Sequence, residues 1–346
     1  MSVKRARRAL RGEPTDCIPL FDTPSHRLFL KHLTGIDPFD KGPKAAERAV
    51  VAAIKKLDID MLMCDIPEQI TVRDDDPNLF GLGTTAWRNA TSTRSDLFGY
   101  DPSRDRPWDS SMSAAEFKRD RTALFERLHR LVGDTALVHG FYFTTCIHYA
   151  AEDLNWEDFF IACLCEEERV AALLDRFQAA SEKVMRVWAD IGPEVMLAHD
   201  DIATAHGTSL SPAWLRKHIL PRYRAILAPF KEKNIPVMFM TDGNFLDVAR
   251  DLVEAGARGF FLDRPCMDLA PLVDKCGPDL IYFTGPAPAT MTVGTAADVR
   301  REIRELAELG RCLPRFFFHM PGGFTQNMPL ENVGAFYDAC RSYGRR

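Results

Sequence analysis

Short apolar runs recur along the chain. Each is followed by a loop and, in most cases, by a stretch with helical periodicity. Eight runs have the length and flanking breakers of strands: CIPLF (17–21), IDMLMC (59–64), TALVHG (135–140), EVMLAH (194–199), IPVMFM (235–240), RGFFLD (258–263), DLIYFT (279–284) and RFFFHM (315–320). Between them, residues 44–57, 113–131 and the very long 166–190 read as amphipathic helices. Pro212, capped by Ser211, opens another that runs to Lys233. Asp298 opens a charged helix ending at Gly310, and Pro329 opens the last one. The basic start, MSVKRARRALRGEP, has the spacing of a short surface helix with Arg and Lys turned outward.

The last five strands alternate with helices of ordinary length, the signature of parallel βαβ units. Eight strands in such a series predict an α/β fold, a (β/α)8 TIM barrel, as a single domain over 1–346. A doubly wound open sheet is the competing arrangement, but no GxGxxG follows the first strand. Residues 68–112 interrupt the alternation with RDDDP, GLGTT and DPSRDRPWD and read as a long insertion after the second strand. Long loops at the active face of a barrel shape its pocket.

Charge and cysteine usage narrow the function classes. Lys and Arg total 44 against 49 Asp and Glu, a net charge of −5 that gives no general attraction to nucleic acid. No apolar run reaches the length of about 18 residues that a membrane span needs. The basic start is not followed by the apolar region of a secretory signal. The nine Cys are scattered with no CxxC pair, which predicts reduced thiols and a cytoplasmic protein.

In a barrel the chemistry sits at the C-terminal ends of the strands. Asp22 follows the first strand, Asp65 the second and Asp242 the fifth; His139 lies in the third, Asp263 ends the sixth and His319 lies on the eighth. The fourth ends in His199, Asp200 and Asp201. A single Asp after a strand is often only a cap or turn residue, but caps do not explain His199 and His319. Crowded carboxylates must bind protons, cations or a cationic substrate. Strand alternation puts His199 and Asp201 on one face and Asp200 on the other. His199, Asp242 and His319 form a candidate nitrogen–oxygen metal set, with a hydrogen-bonded Asp/His network as the alternative. Tyr142, His148 and Tyr149 are placed either to line a pocket for a flat substrate or to form the buried face of a loop. Asn244 and Gln326 join them, with Asp22, His139, Asp200 and Asp263, as candidate substrate-binding residues. Gln326 lies in the Gly-rich loop PGGFTQN (321–327), which lacks the Lys or Arg that a phosphate would favour.

The pieces HDDIATAHGTSLSPAWLRKHILPRYRAIL (199–227), MTDGN (240–244), VEAGARGFFLD (253–263), GPAPATMTVGT (285–295) and PGGFTQNMPLENVGAFYDACRSYG (321–344) resemble the uroporphyrinogen decarboxylase superfamily, as does the opening RRALRGEPTDCIPLF. The resemblance implies the same barrel and two chemistries. One is cofactor-free decarboxylation of tetrapyrrole acetate side chains; the other is methyl transfer to or from a corrinoid protein, often zinc-assisted. The decarboxylases grip substrate carboxylates with an Arg-rich motif after the first strand, where this chain has FDTPSHRLFL with Arg27 alone. Their essential Asp corresponds to Asp65 and their Tyr to Tyr149, while their late His falls at Gly322. The thiol methyltransferases' His-x-Cys pair and later Cys fall at Met240, Asp242 and Gly322, so a thiolate zinc site is lost.

The resemblance therefore implies a divergent member related to the corrinoid-dependent methyltransferases. The expected function is a small-molecule methyltransferase or O-demethylase that passes a methyl group from a methylated substrate, aromatic ones included, to a separate cobalamin-carrying protein. Its catalytic residues would be Asp65, Asp201, Asp242 and His319, with Asp242 or His319 as the acid and Asp201 or His199 orienting it. The alternatives are a decarboxylase of a porphyrin-like or smaller acid, and a non-catalytic tetrapyrrole-binding protein. No covalently bound cofactor is expected. A divalent zinc ion at the metal set and a homodimer are expected by analogy.

Overall fold

The computed structural model describes residues 2–40, 42–68, 96–105 and 112–346, so most of the expected insertion lies outside the described residues. Six parallel strands form a continuous sheet in the order Gly140–Tyr142, Met196–His199, Val237–Met240, Ala257–Phe261, Ile281–Thr284 and Phe316–Phe318. The first two apolar runs close this sheet on itself. Leu20 bridges to Phe318, Phe21 to Met61, and Met61 to Leu137, all in parallel. Backbone hydrogen bonds follow the same arc: the Phe21 amide donates to Phe318 O (2.9 Å), Asp22 to Met61 O (3.0 Å) and Leu62 to Leu137 O (2.9 Å). The result is a ring of eight parallel segments with helices outside it, the expected (β/α)8 barrel.

Runs 17–21 and 59–64 pair through single bridges rather than full ladders, because side chains take over part of the pairing. The Leu20 amide donates to Asp60 Oδ2 at 2.8 Å. The Met63 and Cys64 amides donate to Thr23 Oγ1 at 3.1 and 3.0 Å.

Alternation along the strands sorts the core into two sets. Phe21, Met61, Leu137, Leu197, Met238, Phe261, Ile281, Phe283 and Phe317 fill the ring interior. Their neighbours in sequence, such as Leu20, Ala198, Phe239, Phe260, Tyr282 and Phe318, pack outward in the larger core cluster, which also takes in the helices.

The N-terminal helix, Ser2–Leu10, is not simply a surface helix. Its Val3, Ala6 and Ala9 are buried in the ring-interior cluster. Ser2 Oγ donates to Thr135 O, and Arg315 donates to Leu10 O, at the starts of the third and eighth strands. Small residues on one face let this helix plug the bottom of the ring. Its Arg5 binds Asp16 and Asp60, each at 2.7 Å, while Arg7 reaches Glu194.

Helices Ala45–Leu57, Ala114–Val132 and Glu167–Ile191 lie where the periodicity puts them. The 212–233 stretch is instead two helices, Pro212–His218 and Leu220–Glu232. The break falls just before Pro221, which has no amide hydrogen and disfavours helical backbone ahead of it. The charged helix starts at Ala296, earlier than Asp298, because Thr295 and Asp298 together form a capping box. Among the described residues no helix is long and apolar enough to cross a membrane. None of the nine cysteines is in a disulfide.

Candidate functional site

The fourth strand builds the site. His199 turns into the ring and Asp200 turns out, as alternation requires. Asp200 is fully buried. Its Oδ2 accepts from Tyr223 OH (2.7 Å) and the Ile147 amide (3.0 Å), and its Oδ1 accepts from the His148 amide (2.5 Å). Burial pushes this carboxyl up to about 7, against the pull of the Tyr223 hydroxyl and those amides. The Thr145 amide and hydroxyl both donate to His199 O. The loop after the third strand is thereby stitched across the end of the fourth, and it delivers His148 beside His199, with ring centroids 4.8 Å apart. Phe143 stacks on His199 at 3.7 Å.

Asp201 completes the cluster. Its Oδ2 lies 3.2 Å from His148 Nδ1 and its Oδ1 lies 3.2 Å from His199 Nε2. One ligand atom from each of the three residues falls within 4.8 Å of the others. Burial raises the Asp201 carboxyl, but His148 and His199, once their facing nitrogens carry a proton, outweigh it and hold the group well below the usual carboxylate range. Burial lowers His199, with Asp201 opposing.

The tautomer of His199 follows from its partners. Nδ1 lies 2.8 Å from Phe143 O, a carbonyl that only accepts, so Nδ1 carries the hydrogen. A neutral ring then presents the Nε2 lone pair to Asp201 Oδ1. A second proton or a cation between them relieves that contact.

Asp242 and Asp263 extend the acidic rim. The Asp242 amide lies 3.4 Å from Asp201 Oδ1, and the Gly243 amide donates to Asp263 Oδ2 at 3.2 Å. Desolvation in the mouth of the ring, then Asp201 and Asp263, push Asp242 up to about 7. Gly243 has φ 81°, and a Cβ there would sit 2.4 Å from Thr204 O. Only glycine allows the turn after the fifth strand to come this close to residues 203–208. Phe143, stacked on His199, and Phe141, edge-on to Phe143 at 5.7 Å, are both partly exposed.

The other candidate residues sit elsewhere. His319 is buried inside the ring, where Nδ1 donates to Phe21 O at 2.8 Å and Nε2 has no hydrogen-bond partner among the described residues. Phe21, Phe261 and Phe283 surround it, and burial holds it down at about 4, so it is neutral. His139 is also interior, with its two nitrogens 2.6 Å from Gly140 O and 2.9 Å from Met63 O. His199 thus meets His148 and Asp201 rather than forming one group with Asp242 and His319.

Asp22 is buried and accepts from Tyr337 OH (2.9 Å) and the Thr23 amide (2.7 Å), and burial pushes it up to about 7. Asp65 lies exposed at the rim and pairs with Arg127, which also binds Glu47. Tyr142 and Tyr149 share a hydroxyl–hydroxyl bond of 2.6 Å and are buried, the loop-face alternative. Asn244 Oδ1 accepts from the Leu246 amide. Gln326 ties the loop after the eighth strand to the Arg27 amide and to Ser25 O. Phe143, as the platform under His199, was not singled out from the sequence; its spacing two residues after Phe141 is the signal that would have found it.

The uroporphyrinogen decarboxylase (URO-D) family model matches residues 138–343, more than half of the chain. The chain is similar to a curated uroporphyrinogen decarboxylase from Pelobacter propionicus, 25% identical over 165 residues, covering 47% of this chain and 46% of that one. It is similar to another from Syntrophotalea carbinolica, 26% identical over 172 residues, covering 49% and 48%. The chain spans about half the length of the curated relatives it matches. Among solved structures, a methyltransferase from Methanosarcina mazei shares the fold, with a TM-score of 0.64 at 16% identity over 99% of this chain and 98% of that one. With its own set of groups at the mouth of the ring, the chain is a divergent member of the uroporphyrinogen decarboxylase family.

Proposed function

We propose that the protein is a small-molecule methyltransferase of the O-demethylase kind, which takes a methyl group from a methylated substrate and passes it to a separate corrinoid-carrying protein. One observation carries this reading: among the described residues the mouth gathers carboxylates beside an aromatic ring rather than a set of arginines. Asp201, Asp242 and Asp263 share the mouth with Phe141 and Phe143. Among the described residues Arg27 pairs with Asp37 and Arg127 with Glu47, and Arg264 lies 3.7 Å from Glu302. A polycarboxylate such as uroporphyrinogen needs convergent cations, whereas an apolar or aromatic methyl ether needs a flat wall and a proton. The end-to-end likeness to the Methanosarcina mazei methyltransferase fits the same reading.

When a methyl group leaves an ether or amine, the departing heteroatom keeps the bonding electron pair and must be neutralised. Asp242, which opens to the mouth, donates a proton to that atom, with the Asp201 and His199 cluster beside it. Phe141 and Phe143 pack against its apolar part. The corrinoid on the partner protein supplies the nucleophile that accepts the methyl group.

Incubating the protein with a reduced corrinoid carrier and methoxylated aromatics tests the proposal. Demethylated product should accumulate, and Asp242→Asn should slow it about 10²–10⁴-fold, the usual weight of a general acid. The curated relatives favour a second reading, decarboxylation. Carbon dioxide release from a carboxylated tetrapyrrole, with no methyl transfer, would establish it instead.

A further inference from the structure

We propose that His148, His199 and Asp201 form a divalent-cation site, a nitrogen–oxygen set suited to zinc, at the mouth of the ring. The inference does not depend on the reaction assigned above.

Three independent features point to it. The first is spacing. His148 Nδ1 lies 3.2 Å from Asp201 Oδ2 and His199 Nε2 lies 3.2 Å from Asp201 Oδ1, so the two rings face opposite oxygens of one carboxylate, and one ligand atom from each residue falls within 4.8 Å of the others. An ion bound tetrahedrally at about 2.0–2.1 Å would draw these atoms in to roughly 3.3–3.4 Å. The second is the tautomer. Nδ1–H of His199 is committed to Phe143 O, so its Nε2 lone pair faces a carboxylate oxygen. That arrangement is repulsive for a neutral ring and favourable once a cation sits between. A metal-bound imidazole commonly donates its other N–H to a carbonyl in this way.

The third is the support behind the ligands. Asp200 Oδ1 holds the His148 amide, Thr145 fixes the carbonyl of His199, and Phe143 stacks on the His199 ring. These contacts set ring positions before any ligand arrives. Asp263, whose Oδ2 accepts from the Gly243 amide, adds a further carboxylate at the rim. Three protein ligands leave a fourth position open, the pattern of a catalytic rather than a structural ion.

This set differs from the thiolate set that the resemblance implies at Met240, Asp242 and Gly322. It moves the ion from the fifth and eighth strands to the third and fourth.

The test uses the full chain, stripped with a chelator and dialysed. Titration with Zn²⁺ should end at about one equivalent by elemental analysis. Co²⁺ in its place should give visible absorption bands of a low-coordinate site. His199→Ala and Asp201→Ala should each weaken uptake at least 100-fold, while Asp65→Asn and His319→Gln leave it intact. Failure of the unmodified protein to take up either metal would overturn the site, whether or not any variant folds. So would uptake by His199→Ala equal to that of the parent. Neither readout involves turnover, so a failed demethylation assay leaves the site standing and a failed titration leaves the proposed reaction to be judged on its own.

Discussion

The two ends of the ring are made from the same strands and obey the same alternation, yet they are built to opposite rules. At the bottom, Val3, Ala6 and Ala9 close an interior that is apolar and fully packed. At the top, two imidazoles and three carboxylates crowd together, and one of the contacts, His199 with Asp201, is favourable only with a proton or cation between. The difference teaches that in this fold cohesion and chemistry are separated along the barrel axis. Substitutions at the bottom should cost stability and spare the site; those at the top should do the reverse.

Phe317→Ala attacks the packed interior that the bottom closes and carries the largest expected effect. Removing a buried ring should cost about 3–5 kcal/mol in denaturant unfolding, while the folded fraction keeps its metal uptake. Uptake lost beyond the unfolded fraction would break the comparison.

Asp200→Ala comes next and is the one change that should damage both stability and the site. It strands Tyr223 OH and two amides without an acceptor, for a loss of about 3 kcal/mol, and it frees the loop that carries His148. Stability loss with an intact site would show that the loop is held by other means.

Asp22 sharpens the comparison through pH. Its carboxyl is raised from 3.8 unfolded to about 7 folded by burial, which outweighs the hydrogen bond from Tyr337. The native state therefore binds the proton more tightly. The stabilisation is full below pH 4, fades as pH rises towards 7, and is gone above it. Between pH 5 and 8 this group should contribute a decline on the order of 2 kcal/mol, and Asp22→Asn should flatten it. An equal slope in the variant would locate the titration elsewhere.

Asp242→Asn carries the smallest stability effect. Relieving the crowding with Asp201 and Asp263 should leave stability unchanged or raise it by a few tenths of a kcal/mol, even as turnover falls. A clear loss of stability would mean that the carboxylate is structural.

Much of this was legible in the sequence. The apolar runs located all eight ring segments, and the period of two correctly parted His199 from Asp200. Runs 17–21 and 59–64 looked like full strands because Asp60 and Thr23 read as ordinary polar neighbours. Only the fold shows them replacing backbone partners. The helix Ser2–Leu10 looked solvated because its arginines dominate, although Val3, Ala6 and Ala9 already marked a narrow apolar stripe.

The site was harder to read. Position at a strand end suggested His319 for the mouth, but its ring lies among Phe21, Phe261 and Phe283. His148 was visible as a pocket candidate. Its partnership with His199 depends on a carboxylate, Asp200, that reaches around the outside of the sheet to hold a separate loop, and no local pattern records that.

The seam of the ring has a consequence for how the chain is made. Leu20 takes Phe318 as a neighbour, and the Ile18 amide donates to Gly344 O. On the ribosome, the first segment emerges almost three hundred residues before the partner that covers it, by the sequence numbers of those two residues. Throughout that interval the growing sheet carries an exposed edge, open to pairing with another nascent chain. Synthesis of this protein is thus a race between completing the circle and finding a stranger, and holdase chaperones that shield the early segments should raise its yield.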